Sequence, residues 1–258
     1  MTERKYPIGV QSFRNIRTEN FIYIDKTACI ESLVKGHVFF LSRPRRFGKS
    51  LFLSTLASYF RGEKELFKGL YIEEAEERMA LAEGREPWLE HAVLYIDLNI
   101  SNYNAVEVLN VRLSNNLANL EEEYGVPVLS DLLPSERFAQ LIKNVYQKTG
   151  RKVVVLVDEY DKPMLQAIGN EELQNEYRGI LKGFYGALKS QDRYIRFALL
   201  TGVTKFGKVS VFSDLNNLQD LSMDARYQAL CGMTEGEVVR YFGEPIRALA
   251  IKNKLSEE

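Results

Sequence analysis

Short apolar runs alternate along the chain with longer segments in which apolar residues recur at helical spacing. That alternation predicts a parallel sheet covered by helices. Residues 37–42 (HVFFLS), 92–98 (AVLYIDL), 152–158 (KVVVLVD) and 194–202 (YIRFALLTG) are apolar at nearly every position, as strands buried on both faces should be. A fifth strand is read at 216–222 (NNLQDLS), a stretch with few apolar residues that serves equally well as a loop. Between the runs, Phe138, Leu141, Ile142 and Val145 share one helical face, with Gly150 as the stop. Leu173, Tyr177, Ile180, Leu181, Phe184 and Leu188 form a similar stripe ahead of the fourth run. Near the end, Thr234 and Glu237 form a capping box before a stripe of Val238, Val239, Phe242, Ile246 and Leu249, and Pro245 is expected to kink that helix. The stripe either packs back on the sheet domain or meets a domain outside this chain.

A chain of 258 residues can bury the core of one large α/β domain. Charged residues make up 27% and the net charge is only -1, so no global field favours nucleic acid or an anionic membrane. Any basic site must be local. Cys29 and Cys231 lie far apart, without metal-ligand spacing, which fits a reducing compartment with neither disulfide framework nor zinc site. The first residues lack the apolar core of a signal peptide, and no run of about 18 apolar residues occurs. The sequence therefore reads as soluble, cytoplasmic and free of membrane partners.

The first run leads through Arg43, Pro44, Arg45, Arg46 and Phe47 into Gly48-Lys49-Ser50, and then into a helical segment. A phosphate-binding loop has the form Gly-x-x-x-x-Gly-Lys-Ser/Thr: its backbone N–H groups converge on the phosphates, its lysine reaches the β- and γ-oxygens, and its hydroxyl holds magnesium. Gly-Lys-Ser/Thr alone arises by chance in roughly one chain in eight of this length. The strand before it and the helix start after it are the setting the chemistry demands. Arg43 stands where the first glycine belongs, and Pro44 has no N–H, so the start of the loop must differ from the general form. Arg45 and Arg46 either compensate with charge-assisted bonds to phosphate or point into solvent. The competing reading is a basic surface turn.

Phosphoryl transfer from ATP also requires an acid for magnesium and a carboxylate that orients the attacking water. The third run ends in Asp158 and Glu159, with Asp161 two residues on. Asp158 is the magnesium candidate, Glu159 the water-activating candidate, and Asp161 the reserve for either. The fourth run ends with Thr201 and Thr204, placed where a polar side chain can sense the γ-phosphate or simply cap a strand. Arg178, Arg193 and Arg196 are arginine-finger candidates by residue type alone, and a solvated face explains each as well.

The stretches YPIGVQSFRNIRTENFIYIDKT, FFLSRPRRFGKSLFLSTLASYF, VVVLVDEYDKP and LLTGVTKFGKVSVFSDLNNLQDLS together resemble the AAA-ATPase-like proteins of bacteria. The arginine-rich loop without its first glycine is part of that family's pattern. The resemblance implies an α/β P-loop NTPase of the additional-strand class, with a parallel sheet of about five strands between helices. It implies three parts: an N-terminal segment at 1–36, the ATPase core with Walker A and Walker B motifs at 37–232, and the start of a helical lid at 233–258. Similar proteins continue into a PD-(D/E)XK nuclease-superfamily domain, and no nuclease set is assigned in these residues. The implied function is magnesium-dependent binding and hydrolysis of ATP that gates or powers such an effector; the lack of an obvious arginine finger either favours a nucleotide switch or implies a finger from a neighbouring subunit of a homo-oligomer. The site expected is Lys49, Asp158, Glu159 and Thr201 for chemistry and Ser50 with Asp158 for magnesium. Nucleotide contacts are expected from Arg45, Arg46, Phe47, Gly48, Lys49, Ser50 and Leu51, and, by analogy, from Tyr23 and Asp25 near adenine or ribose. The alternatives are a non-hydrolysing nucleotide switch, a nucleic-acid-binding defence module built on Arg43, Arg45 and Arg46, and a metabolite kinase.

Overall fold

The computed structural model describes residues 4–99, 102–204, 211–212, 215 and 217–253. Five parallel strands, β1 (Val38–Ser42), β2 (Val93–Asp97), β3 (Val153–Asp158), β4 (Ile195–Gly202) and β5 (Gln219–Asp220), form one sheet in the order β2-β3-β4-β1-β5. One strand, β4, thus lies between the strand that leads into the Gly-Lys-Ser loop and the strand that ends in the acids. That is the additional-strand arrangement of an AAA-like P-loop NTPase. The weak fifth run contributes a strand of only two residues, held to β1 by backbone bonds such as Leu221 N–H to Phe40 O at 2.9 Å.

The apolar runs are continuous because both faces of the sheet are covered. Val153, Val155 and Val157 point into a core made with α5 (Val106–Glu123), α6 (Pro134–Thr149) and α8 (Glu171–Ser190). Val154 and Leu156 point the other way, into a core made with α1 (Phe13–Thr18), α2 (Ala28–Leu33), α3 (Lys49–Phe60) and α4 (Tyr71–Glu83). All six residues of β3 are buried. The stripe read at Phe138, Leu141, Ile142 and Val145 is the buried face of α6, which ends at Gly150 with φ 68°, a left-handed angle that glycine adopts at little cost. Arg137 of α6 and Glu121 of α5 are both buried and joined by two charge-assisted bonds, so each neutralises a charge that burial alone would penalise.

A short helix, α7 (Lys162–Gln166), follows the acidic exit of β3, and α9 (Glu235–Asn253) is the last described element. The capping box forms: the Thr234 N–H donates to Glu237 at 2.7 Å and the Glu237 N–H donates to Thr234 Oγ1 at 3.3 Å. α9 continues past Pro245 to Asn253. Its first turns rest on the N-terminal segment through Lys26 with Glu237 at 2.6 Å and Tyr6 stacked on Phe242 at 6.0 Å. Its apolar residues Val239, Ile246 and Leu249 are exposed. Among the described residues no helix is long and apolar enough to cross a membrane.

Candidate functional site

The site lies at the carboxyl edge of β1, β3 and β4, where each strand passes from a buried run to polar residues. β1 hands over to the loop at Ser42, and α3 begins at Lys49 with Gly48 as its N-cap. Gly48 has φ 89°, and a Cβ there would touch nothing within 4 Å, so backbone conformation and not space requires glycine. The helix start has no side-chain cap and no acid in its first turn. Its N–H groups and dipole therefore favour an anion.

Arg43, which the nucleic-acid alternative groups with Arg45 and Arg46, is engaged within the fold. Its N–H donates to Gly202 O at 3.1 Å, which ties the start of the loop to the end of β4. Its guanidinium donates to the carbonyls of Ser42 at 3.0 Å, Ser222 at 2.8 Å and Tyr227 at 3.3 Å. Arg43 is a clamp on the segment after β5. The left-handed turn that the loop needs is supplied by Arg46, at φ 65°. Arg45, Arg46 and Phe47 are exposed, and Leu51 packs partly against the α3 side of the core. Phe47 O accepts the Gly232 N–H at 2.8 Å, so the loop is also joined to the residues just ahead of α9.

Lys49 is buried, and its ammonium lies 3.1 Å from Arg43 O, 3.3 Å from Pro44 O and 3.3 Å from Glu159 Oε1. Two sequence-distant candidates, the loop lysine and the water-activating glutamate, are thus an ion pair with side chains 3% and 12% exposed. Glu159 takes φ 56°, a conformation that costs a non-glycine residue about 1 kcal/mol or more and that recurs at functional sites. Ser50, on the first turn of α3, is half-buried. A hydroxyl and a carboxylate are hard oxygen donors, so Ser50 and Asp158 suit a magnesium ion that takes its remaining ligands from water and phosphate.

Asp158 is buried at the end of β3, and its Oδ1 accepts the Thr201 hydroxyl at 2.7 Å. The Tyr95 hydroxyl lies 3.5 Å from Oδ2. Asp97 is the in-register neighbour of Asp158 on β2. Burial raises the Asp97 carboxyl above its ordinary pKa, opposed by the Asn99 N–H and reinforced by the charge of Asp158. Sequence reasoning passed over Tyr95 and Asp97. The signal was present in the polar end of AVLYIDL, which stops in step with the third run.

Other candidates are occupied by the fold. Asp161 is fully buried and accepts the N–H groups of Val203 at 3.0 Å and Thr204 at 2.7 Å and the Thr204 hydroxyl at 2.7 Å. It fastens the exit of β4, which also employs Thr204. Tyr23 is buried edge-on to Phe13, with its hydroxyl 3.4 Å from Thr55 on α3. Asp25 accepts from the N–H and hydroxyl of Thr27 and from the Tyr71 N–H at the start of α4. The aromatic, acidic pattern of this segment thus joins α2, α3 and α4. Arg196 donates to Val34 O at 2.6 Å, Arg193 stacks on Tyr194 at 4.5 Å, and Arg178 donates to Asn175 at 2.7 Å. Residues 205–210 of the fourth family-like stretch lie outside the described residues.

A parallel sheet in the additional-strand order, a Gly-Lys-Ser helix start and an adjacent acid pair define an ATPase-like P-loop protein. The chain belongs to the AAA-ATPase-like family, described as predicted AAA-ATPase, which it matches over residues 7–212. It is also 40% identical over 252 residues to a protein of Azotobacter chroococcum mcd 1 described as an uncharacterized protein in the vnfD 5′ region. That alignment covers 96% of this chain and 47% of the relative, so the chain spans about half the relative's length. No solved structure matches it.

Proposed function

We propose that this domain binds ATP with magnesium at the carboxyl edge of β1, β3 and β4 and hydrolyses it, so gating or powering an effector segment joined to it. The observation that carries this reading is the convergence of Lys49 and Glu159, 3.3 Å apart, beside the buried Asp158. Backbone N–H groups from Phe47 to Leu51 and the Lys49 ammonium receive the phosphates, with Arg45 and Arg46 as exposed charges at the loop's rim. Ser50 and Asp158 hold the magnesium, which when bound neutralises charge on the phosphate oxygens. Glu159 accepts the proton of the attacking water. Arg178, Arg193 and Arg196 are each engaged locally, so the arginine that stabilises the transferred phosphate is assigned to a second copy. The relative is about twice as long as this chain, which fits an effector segment joined to the domain; the resemblance read from the sequence makes that effector nuclease-like.

A second reading, a nucleotide switch with little or no turnover, is favoured by the same ion pair, since Lys49 and Glu159 occupy one another until phosphate separates them. The link from Phe47 to Gly232 gives such a switch a route to α9. The nucleic-acid reading loses Arg43, whose guanidinium is spent on carbonyls. The test is magnesium-dependent ATP turnover and nucleotide affinity for the wild type, Lys49→Ala and Glu159→Gln. The expected result is loss of turnover in both variants, by about 100-fold or more, with binding kept in Glu159→Gln. Tight binding without turnover in the wild type identifies the switch, and binding in none of the three overturns both readings.

A further inference from the structure

Three adjacent strands present polar side chains to the face that α3 covers. On β3, Leu156 belongs to the α3-side core, so Asp158, two residues on, projects from the same face. On β4, Leu199 belongs to that core and Thr201 follows two residues later. On β2, the ring of Tyr95 packs against it, beside Leu156 in register. The two oxygens of Asp158 therefore meet hydroxyls from opposite sides: Thr201 Oγ1 at 2.7 Å from Oδ1, and Tyr95 at 3.5 Å from Oδ2. Thr201 is fully buried, and among the described residues its one further acceptor is the Val157 carbonyl at 3.4 Å.

We infer that Tyr95 and Thr201 are positioning residues that act through Asp158, fixing its carboxylate plane for the hydrated divalent cation of the bound nucleotide. This rests on the proposed assignment of Asp158 to the cation. A carboxylate at the end of a strand turns readily about its terminal torsion, which has broad minima. Each of its oxygens has about two acceptor positions, and a hydroxyl on each oxygen stops the rotation while leaving the others available. Thr201 thus acts through the acid and not by direct contact with the γ-phosphate. Partners that orient metal-binding groups typically govern metal affinity by about 10- to 100-fold.

The experiment is titration of Mn2+ into the protein with a non-hydrolysable ATP analogue, followed by the electron paramagnetic resonance signal of free Mn2+. Tyr95→Phe keeps the ring and Thr201→Val keeps the shape, so each removes chiefly a hydroxyl. Each is expected to weaken Mn2+ binding about tenfold, with affinity for the metal-free analogue unchanged and Thr201→Ser restoring wild-type binding. Asp158→Asn, run alongside, is expected to weaken it further. Loss of Mn2+ affinity in Asp158→Asn, with Tyr95→Phe and Thr201→Val unchanged, overturns the positioning role and leaves the site intact. Unchanged affinity in Asp158→Asn overturns the site assignment itself and the positioning role with it.

Discussion

The exits of β1 and β3 lie on one edge of one sheet, yet they are built in opposite ways. After β1, the loop exposes Arg45, Arg46 and Phe47, and it is fastened by the Arg43 clamp, by the Lys49 ammonium on the Arg43 and Pro44 carbonyls, and by backbone bonds to Gly202 and Gly232. After β3, Asp158, Tyr160 and Asp161 are buried, and side-chain bonds fasten the acids to β4 and the residues just beyond it. On the proposed reading the loop admits phosphate, which requires backbone N–H groups left free, and its fastenings fall on carbonyls and on its ends. On the same reading Asp158 acts at a set distance and needs a fixed rotamer, which the bond from Thr201 helps to supply. Both exits place one non-glycine residue in the left-handed region, Arg46 at φ 65° and Glu159 at φ 56°.

The comparison breaks most sharply at Asp161. Asp161→Ala leaves the part-buried N–H groups of Val203 and Thr204 without their charged acceptor, and we expect it to destabilise the domain by about 3 kcal/mol. Asp158→Asn keeps an acceptor for Thr201 and should cost about 1 kcal/mol or less. Urea unfolding of the two variants checks the contrast, and equal losses would remove the distinction between a fastening acid and a working one. At the other exit, Arg43→Ala loses three carbonyl contacts and is expected to cost about 2 kcal/mol, whereas Arg45→Ala should change stability by less than about 0.5 kcal/mol. Melting temperatures of the pair separate a clamp from a solvated charge.

The same contrast decides what could be read from the residues. β1, β2, β3 and β4 were legible because a strand buried on both faces must be apolar nearly throughout. β5 was barely legible because its pairing is a matter of backbone bonds to Phe40, which leave no mark on side-chain type. Within the site, Lys49, Ser50, Asp158 and Glu159 follow from local spacing beside a strand. The contacts of Arg43 do not, since its carbonyl at Ser222 is 179 residues away in the chain. Nor does the meeting of Tyr95 with Asp158, which depends on the register of β2 against β3. The segment holding Tyr23 and Asp25 is ambiguous in sequence, because a hydroxyl and a carboxylate that join three helices look the same as ones that meet a nucleotide.

The smallest expected effect separates backbone from charge at Arg46. A glycine there relieves the left-handed conformation, worth about 1 kcal/mol, but restores freedom to the unfolded chain that costs somewhat over half as much. Arg46→Gly should therefore leave stability unchanged or raise it by about 0.5 kcal/mol. Its guanidinium is exposed, so any further consequence falls on the nucleotide: a fall in ATP affinity of about fivefold is expected from one lost charge-assisted contact. Arg46→Lys, which keeps charge but also keeps the backbone cost, should recover most of that affinity and none of the stability. Isothermal titration with ATP and thermal melts on both variants read the two terms separately. If Arg46→Gly binds ATP as the wild type does, the arginine serves the turn alone, and the loop at β1 receives phosphate through Lys49 and its backbone.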